Sequence, residues 1–582
     1  MEPVRLSPES REAALSRLEH ETFDVVVVGG GVVGTGCALD AVTRGLSTAL
    51  LEARDWAAGT SSRSSKLIHG GLRYLEQLEF GLVREALGER HLMLTRLCPH
   101  LVQPVSFLYP LQHRIWERVY AGSGVLLYDT LLAVGTGGGL VAPRSLPRHR
   151  HLSRRKALAL APALRHDALV GALQYYDAQV DDARHTMTVA RTAATYGAAA
   201  ASGVQVVGFL REGERVSGVR VCERETGREF EVRARVVVNA TGVWTDATQE
   251  LAGGRGRFPV RVSKGIHLVV PRDRIQLDTG LILRTESSVL FVIPWGRHWI
   301  LGTTDTDWKL SKSHPAASSR DIDYVLDHVN EVLVTPLSRE DVEGVYAGLR
   351  PLLAGESEQT SKLSREHLVS MPVPGLVVVA GGKYTTYRVM ARDAIDRAAG
   401  ALDQTIGECV TADTPLLGAE GYAALWNQRR ALAAASGLHP ARIEHLLHRY
   451  GTMIDELLDL LAKRPELAEP LPNADDYLQL EVVYSAMAEG ALHLDDILTR
   501  RTRISIEAWD RGLAAAEPAA QLMGEILGWS DERRDREVEY YRRRVAAERD
   551  SQTQPDDTTA DAARMAGGEE LGLGAAEALV NT

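Results

Sequence analysis

At 582 residues the chain is long enough for two or three domains with ample interior, and its 45% apolar and 25% charged content is that of a globular protein. A net charge of −11 argues against broad nucleic-acid binding. Four widely separated cysteines (Cys37, Cys98, Cys222, Cys409) exclude a disulfide framework and a cysteine metal site, so no metal is expected.

The charged N-terminal stretch lacks the apolar core of a secretory signal, and no run of about 18 apolar residues is present. A cytoplasmic protein without a spanning helix is expected.

Phe23 to Glu52 organises the rest. Val25 to Val28 is a continuous β-branched run, as in a parallel strand buried on both faces. Gly29, Gly31 and Gly34 follow with the spacing G-x-G-x-x-G. Gly29 permits the tight turn, Gly31 lets backbone approach a pyrophosphate, and Gly34 lets a helix pack on the strand. That helix, about Val32 to Arg44, directs free N–H groups at the phosphates. Ser47 to Leu51 reads as the next strand, and Glu52 ends it as an acceptor for ribose hydroxyls. The unit predicts a dinucleotide but does not separate NAD from FAD.

The next stretch separates them. Thr60, Ser61, Ser62 and Ser65 form a hydroxyl-rich loop, followed by Leu67-Ile68-His69-Gly70-Gly71-Leu72-Arg73-Tyr74-Leu75-Glu76. Here the sequence resembles the FAD-dependent glycerol-3-phosphate dehydrogenases, over roughly Phe23 to Asp550. The resemblance implies non-covalent FAD, with this stretch along the flavin. It also implies that the Gly203–Val207 strand, with Val206, lies beside the adenine, and that Ala240-Thr241-Gly242 closes over the pyrophosphate.

Phe80 to Leu97 has helical periodicity. Val119 to Val134 is apolar but too short to span a bilayer. Asp181 and Asp182 read as helix N-terminal acids with Arg184 as their ion-pair partner. Val216–Val221 and Phe230–Val232 read as a hairpin, and Val236–Ala240 as a separate strand. From Val262 a mostly antiparallel sheet begins. Val377 to Ala380 ends in Gly381-Gly382, then Lys383 and Thr385, a second strand–glycine–helix junction. From about Leu416 the pattern is helical, and Ser551 to Thr582 reads as a disordered tail.

The expected fold is thus α/β and α+β. A Rossmann-type FAD-binding domain (20–260 and 370–402) joins an antiparallel-sheet substrate domain (261–369, with parts of 75–180), as in D-amino-acid-oxidase-like and glutathione-reductase-like flavoproteins. A helical C-terminal domain (415–550) follows.

Hydride removal from an alcohol needs a base for the O–H proton and a cation for the forming alkoxide, and a phosphate needs arginine forks. The resemblance places His267, His69, Lys383 and Arg73 in catalysis, and Arg350, Arg73, Tyr74 and Arg365 on the substrate. Which histidine is the base stays open. The implied reaction is oxidation of sn-glycerol 3-phosphate to dihydroxyacetone phosphate, with electrons passed to a membrane quinone by a peripheral protein on the inner face of the cell membrane. Arg114 to Tyr120 are candidate membrane contacts. The alternatives are an oxidase using oxygen, another oxidoreductase of this fold, or a flavin-stabilised binding protein. A homodimer is left open.

Overall fold

The computed structural model describes residues 2–71, 79–113, 146–253, 260–285, 289–353 and 366–568. Arg73, Tyr74, Arg365, the Arg114–Tyr120 segment and the apolar stretch after it lie outside the described residues.

An eight-stranded sheet carries the glycine-rich unit. The strands Thr22–Val28 and Thr48–Glu52 flank the helix Val32–Thr43 in sequence. Both strands are almost wholly buried, which their continuous apolar runs require. Thr22–Val28 pairs in parallel with Thr48–Glu52 on one side and with Arg228–Asn239 on the other. Leu376–Gly381 and Ala199–Ser202 extend the sheet outward in the same sense. Four strands therefore end together at Gly29, Glu52, Ala240 and Gly381, the carboxyl edge at which open α/β sheets bind ligands.

The hairpin and the strand read separately at Phe230 and Val236 are one strand, Arg228–Asn239. Its first half is antiparallel to Arg215–Glu223, and its second half is parallel to the first strand of the chain.

A ten-stranded, mostly antiparallel sheet faces that edge. Its centre is Val260–Pro271, paired with Gly344–Leu353 and His298–Gly302. The long pair Val102–Leu111 and Gly171–Val180 belongs to the same sheet.

The C-terminal part is helical, with a core of Ile443, Leu447, Leu457, Leu480 and Met523 among others. A helix at Leu513–Leu527, carrying Pro518 inside it, was not anticipated. Residues 551–568, expected as tail, are ordered instead. Asp556 caps a helix over Asp557–Met565, and Asp557 reaches the buried Lys264 Nζ at 2.5 Å.

This domain docks on the two-sheet part of the chain through buried charge. Arg184 pairs with Glu489 at 2.7 Å, not with the neighbouring aspartates as expected. Asp181 does cap the helix, accepting the Arg184 backbone N–H at 3.2 Å, but its ionic partners are Arg503 and Arg449. His493 lies 2.9 Å from both Glu225 and Glu537. Burial disfavours its charge, but the hydrogen bonds to the two carboxylates more than offset this and hold its pKa well above the usual value. The stabilisation is therefore full below the unfolded histidine pKa and is lost as pH rises through the raised one. We expect His493→Gln to cost about 1.5–3 kcal/mol near pH 6, with the gap to wild type narrowing in alkali. Thermal melting from acid to alkaline pH checks this, and a gap independent of pH would rule it out.

Candidate active site

The two sheets enclose a cavity of about 480 Å³. One wall is the carboxyl edge of the first sheet, with Gly29, Gly31, Glu52, Ala240, Thr241, Gly242 and Gly382. The other is the antiparallel sheet, with Gly265, His267, Phe291 and Arg350. The loop Thr60, Ser61, Ser65 and His69 runs between them, and Val206, Lys383 and Thr385 lie in the same lining.

Each glycine at the first edge is there for a measurable reason. Gly29 has φ +111°, and a Cβ on it would lie 2.7 Å from the Ala240 carbonyl oxygen. A Cβ on Gly34 would lie 1.9 Å from the Gly29 oxygen, so Gly34 packs helix on strand and does not line the cavity. At Gly31 a Cβ would meet only the Ser61 Oγ, at 3.2 Å, and would otherwise project into open space. Gly31→Val should therefore fold and lose flavin, whereas Gly34→Val should lose the fold. Flavin absorbance and melting temperature, measured on both, check this; a flavin-loaded Gly31→Val protein would contradict it.

Glu52 lines the cavity while its Oε2 accepts the Gly30 N–H at 2.6 Å and its Oε1 the Arg54 N–H at 2.8 Å. Burial raises its pKa, against these two bonds. The Ser61 hydroxyl accepts the Val32 N–H at 2.9 Å, tying the loop to the start of the helix. Ser62 departs from expectation. It is absent from the lining, and its carbonyl turns to Lys66 Nζ and Arg503. Asp182 fixes the same loop, accepting from Ser64 N–H at 2.9 Å and Ser64 Oγ at 2.7 Å, and pairing with Lys66 and Arg503.

The reactive end is set by strand register. In the pair Val260–Pro271 with Gly344–Leu353, His267 faces Tyr346, Gly265 faces Gly348 and Ser263 faces Arg350. The Arg350 guanidinium lies over Gly265, where a Cβ would be 2.3 Å from Nη2. It donates to Thr303 Oγ1 at 2.9 Å and to the Thr304 carbonyl at 3.2 Å, with Asp305 at 3.7 Å.

His267 is 2% exposed, stacks on Tyr346 (4.7 Å, 12°) and has Nε2 2.8 Å from Ser65 Oγ. Its Nδ1 is buried with no hydrogen-bond partner among the described residues. Burial, then the charges of Arg350 and Lys66, hold its pKa well below the usual histidine value, so the ring is neutral at pH 7. His69 meets Thr385 through its backbone, N–H to Oγ1 at 3.2 Å.

Sequence reasoning missed several lining residues, among them Gln205, Trp244, Gly265, Thr303 and Tyr384. Tyr384 donates to the Asp182 carbonyl at 2.7 Å, linking the second glycine junction to the residue that fixes the hydroxyl-rich loop.

A glycine-lined phosphate approach, a terminal acid and a hydroxyl-rich loop at one carboxyl edge define a dinucleotide-dependent oxidoreductase, and comparison with known proteins narrows this. The profile of the FAD dependent oxidoreductase family matches residues 24–396, and that of the C-terminal domain of alpha-glycerophosphate oxidase matches 409–534. A glycerol-3-phosphate dehydrogenase of Mycobacterium leprae is 59% identical over 96% of this chain and 94% of its own. The mitochondrial glycerol-3-phosphate dehydrogenase of Mesocricetus auratus is 37% identical over 92% of this chain and 75% of its own. The crystal structure of the Bacillus halodurans glycerol-3-phosphate dehydrogenase complexed with FAD superposes with a TM-score of 0.76 at 27% identity, covering 93% of this chain and 98% of that one. The chain belongs to the FAD-dependent glycerol-3-phosphate dehydrogenase family.

The residues present fit FAD. The open space at Gly31 suits a pyrophosphate, and Glu52 with Val206 suits an adenosine. Among the described residues, no helix is long and apolar enough to cross a membrane.

Proposed function

We propose that the protein oxidises sn-glycerol 3-phosphate to dihydroxyacetone phosphate and hands the electrons to a membrane quinone. The observation that carries this is the placement of His267 and Arg350 on adjacent strands, in the lining of one cavity with the glycine-rich edge. FAD, when bound, accepts the hydride. Gly29, Gly31, Glu52, Thr60, Ser61, Ser65, Thr241 and Gly382 hold it, with Lys383 and Thr385 at the second junction.

The protein's own groups do the rest. Arg350 presents a fixed fork to the phosphate, with Arg73, Tyr74 and Arg365 as further contacts outside the described residues. His267 is kept neutral by burial and by positive neighbours, so it is ready to take the hydroxyl proton. A dianionic substrate beside Arg350 offsets the charge that depresses the imidazole, so binding itself raises the strength of the base. His69 is held through its backbone and assists in orientation. Lys383, in the same lining, supplies positive charge for the forming alkoxide.

The second family profile, named for an oxidase, favours oxygen as an alternative acceptor. The test is turnover with vesicles carrying quinone, compared with oxygen alone. Quinone reduction by vesicle-bound enzyme with little hydrogen peroxide supports the dehydrogenase at a membrane surface; stoichiometric peroxide without vesicles identifies an oxidase.

A further inference from the structure

A second cavity, of about 70 Å³, lies where the flavin loop, the strand Gly344–Leu353, the helical domain and the last helix meet. A single water needs about 10–15 Å³ by the same measure, so this space holds one small ligand. Five arginines line it: Arg63, Arg500, Arg503, Arg544 and Arg564. Glu548 is the one carboxylate in its lining among the described residues, and it lies 4.0 Å from Arg511.

Three of the arginines have ionic partners behind the cavity. Arg500 reaches Asp55, Asp495 and Asp496, Arg503 reaches Asp181 and Asp182, and Arg544 reaches Asp495. Several of these carboxylates are shared, Asp55 with Arg501, Asp181 with Arg449 and Asp182 with Lys66.

The other two have none. Among the described residues, no carboxylate lies within ion-pair distance of Arg63 or Arg564. Arg63 Nη1 donates to the Ser313 carbonyl at 3.2 Å, and Arg564 Nη1 reaches the Arg544 carbonyl only at 3.4 Å. Arg564 is 7% exposed. Gln552, also in the lining, has a buried Nε2 with no acceptor among the described residues. Burial, then Arg54, Arg544, Arg500 and Arg564, hold the Arg63 pKa well below the guanidinium value. Uncompensated buried cations of this kind are costly, and an anion held by several forks removes the cost.

We propose that this cavity is a binding site for a small tetrahedral oxyanion, inorganic phosphate or the phosphoryl group of a small monoester, held by Arg63, Arg544, Arg564 and Gln552. The anion ties the last helix to the flavin loop through Arg63, which lines both cavities. The site is distinct from the substrate clamp at Arg350.

The test is calorimetric titration of FAD-loaded protein, prepared free of oxyanions, with inorganic phosphate and separately with glycerol 2-phosphate. Wild type should bind phosphate at two sites, of which Arg350→Ala removes one and Arg564→Gln weakens the other about tenfold or more. Gln552→Leu, a milder change, should weaken the same site, and in oxyanion-free buffer neither variant should alter flavin content or turnover. Binding of glycerol 2-phosphate that Arg564→Gln weakens supports the site and shows that it admits monoesters. If glycerol 2-phosphate does not bind but the Arg564-dependent phosphate site is present, the ligand is the free ion. A phosphate isotherm unchanged in both Arg564→Gln and Gln552→Leu would overturn the proposal, as would the loss of all phosphate binding in Arg350→Ala. An Arg350→Ala isotherm identical to wild type would instead remove Arg350 from the substrate clamp and leave this site standing.

Discussion

Replacing His267 by Gln should lower kcat for glycerol 3-phosphate by about 10²–10⁴-fold, the range set by loss of a positioned base. The substitution leaves an amide of similar reach beside Ser65 and Tyr346, so flavin content and melting temperature should stay near wild type. His69→Gln should cost less, because the His69 backbone N–H and carbonyl both meet Thr385 Oγ1 and keep the loop in place whatever the side chain. The pH profile separates chemistry from packing. In the free enzyme the acid limb of kcat/KM assigned to His267 should lie below the ordinary histidine value, because burial, Arg350 and Lys66 depress it. A protonated ring cannot take the hydroxyl proton, so activity falls as pH drops through that value. Equal losses in both histidine variants, or a His267→Gln enzyme with full kcat, would remove His267 from the role of base.

Arg350→Ala should reduce kcat/KM for glycerol 3-phosphate by roughly ten- to a hundredfold or more, at about 1.5–3 kcal/mol for each hydrogen bond to a charged group. The guanidinium is already oriented by Thr303 and the Thr304 carbonyl, so little ordering is left for substrate to impose. Arg350→Lys keeps charge without the fork and should remain impaired. Glycerol, which lacks the phosphate, should be a poor substrate that suffers hardly more in the variant. Removing the charge should also raise the pKa of His267 and move the acid limb upward, a coupling that a remote structural role would not produce. Measurement of kcat/KM on both substrates across pH decides it; equal loss on both would mean that Arg350 does not hold the phosphate.

How much of this was legible in the sequence depended on how local the cause was. The unit from Phe23 to Glu52 is set by neighbours within a few residues, so its turn, helix and terminal acid could be read in place. The strand Arg228–Asn239 was divided because its pattern changes. Its first half alternates buried and exposed residues beside one partner, and its second half is buried on both faces between two parallel strands. The break in alternation marks a change of environment, not the end of a strand. The helix Leu513–Leu527 was hidden by Pro518, and the Asp557–Met565 helix by a composition that reads as tail, although Lys264 holds its first turn.

The site shows the same division. His267 and Arg350 were named by resemblance to a family, but only the pairing of their strands brings them to one cavity wall, with the Arg350 guanidinium over Gly265. Ser62 was grouped with its neighbours by composition, yet the turn at Thr60–Ser62 directs its carbonyl to Lys66. The ionic partner of Arg184 lay far along the chain, at Glu489, where no local rule could find it.

The central claim is that one cavity between the two sheets holds FAD and oxidises glycerol 3-phosphate. Its most direct test is the visible spectrum of the FAD-loaded protein, with oxygen excluded, on addition of glycerol 3-phosphate. The account predicts that the oxidised flavin band bleaches in proportion to dihydroxyacetone phosphate formed, and that glycerol at the same concentration leaves it nearly intact. A fully loaded protein whose spectrum glycerol 3-phosphate does not change would contradict it.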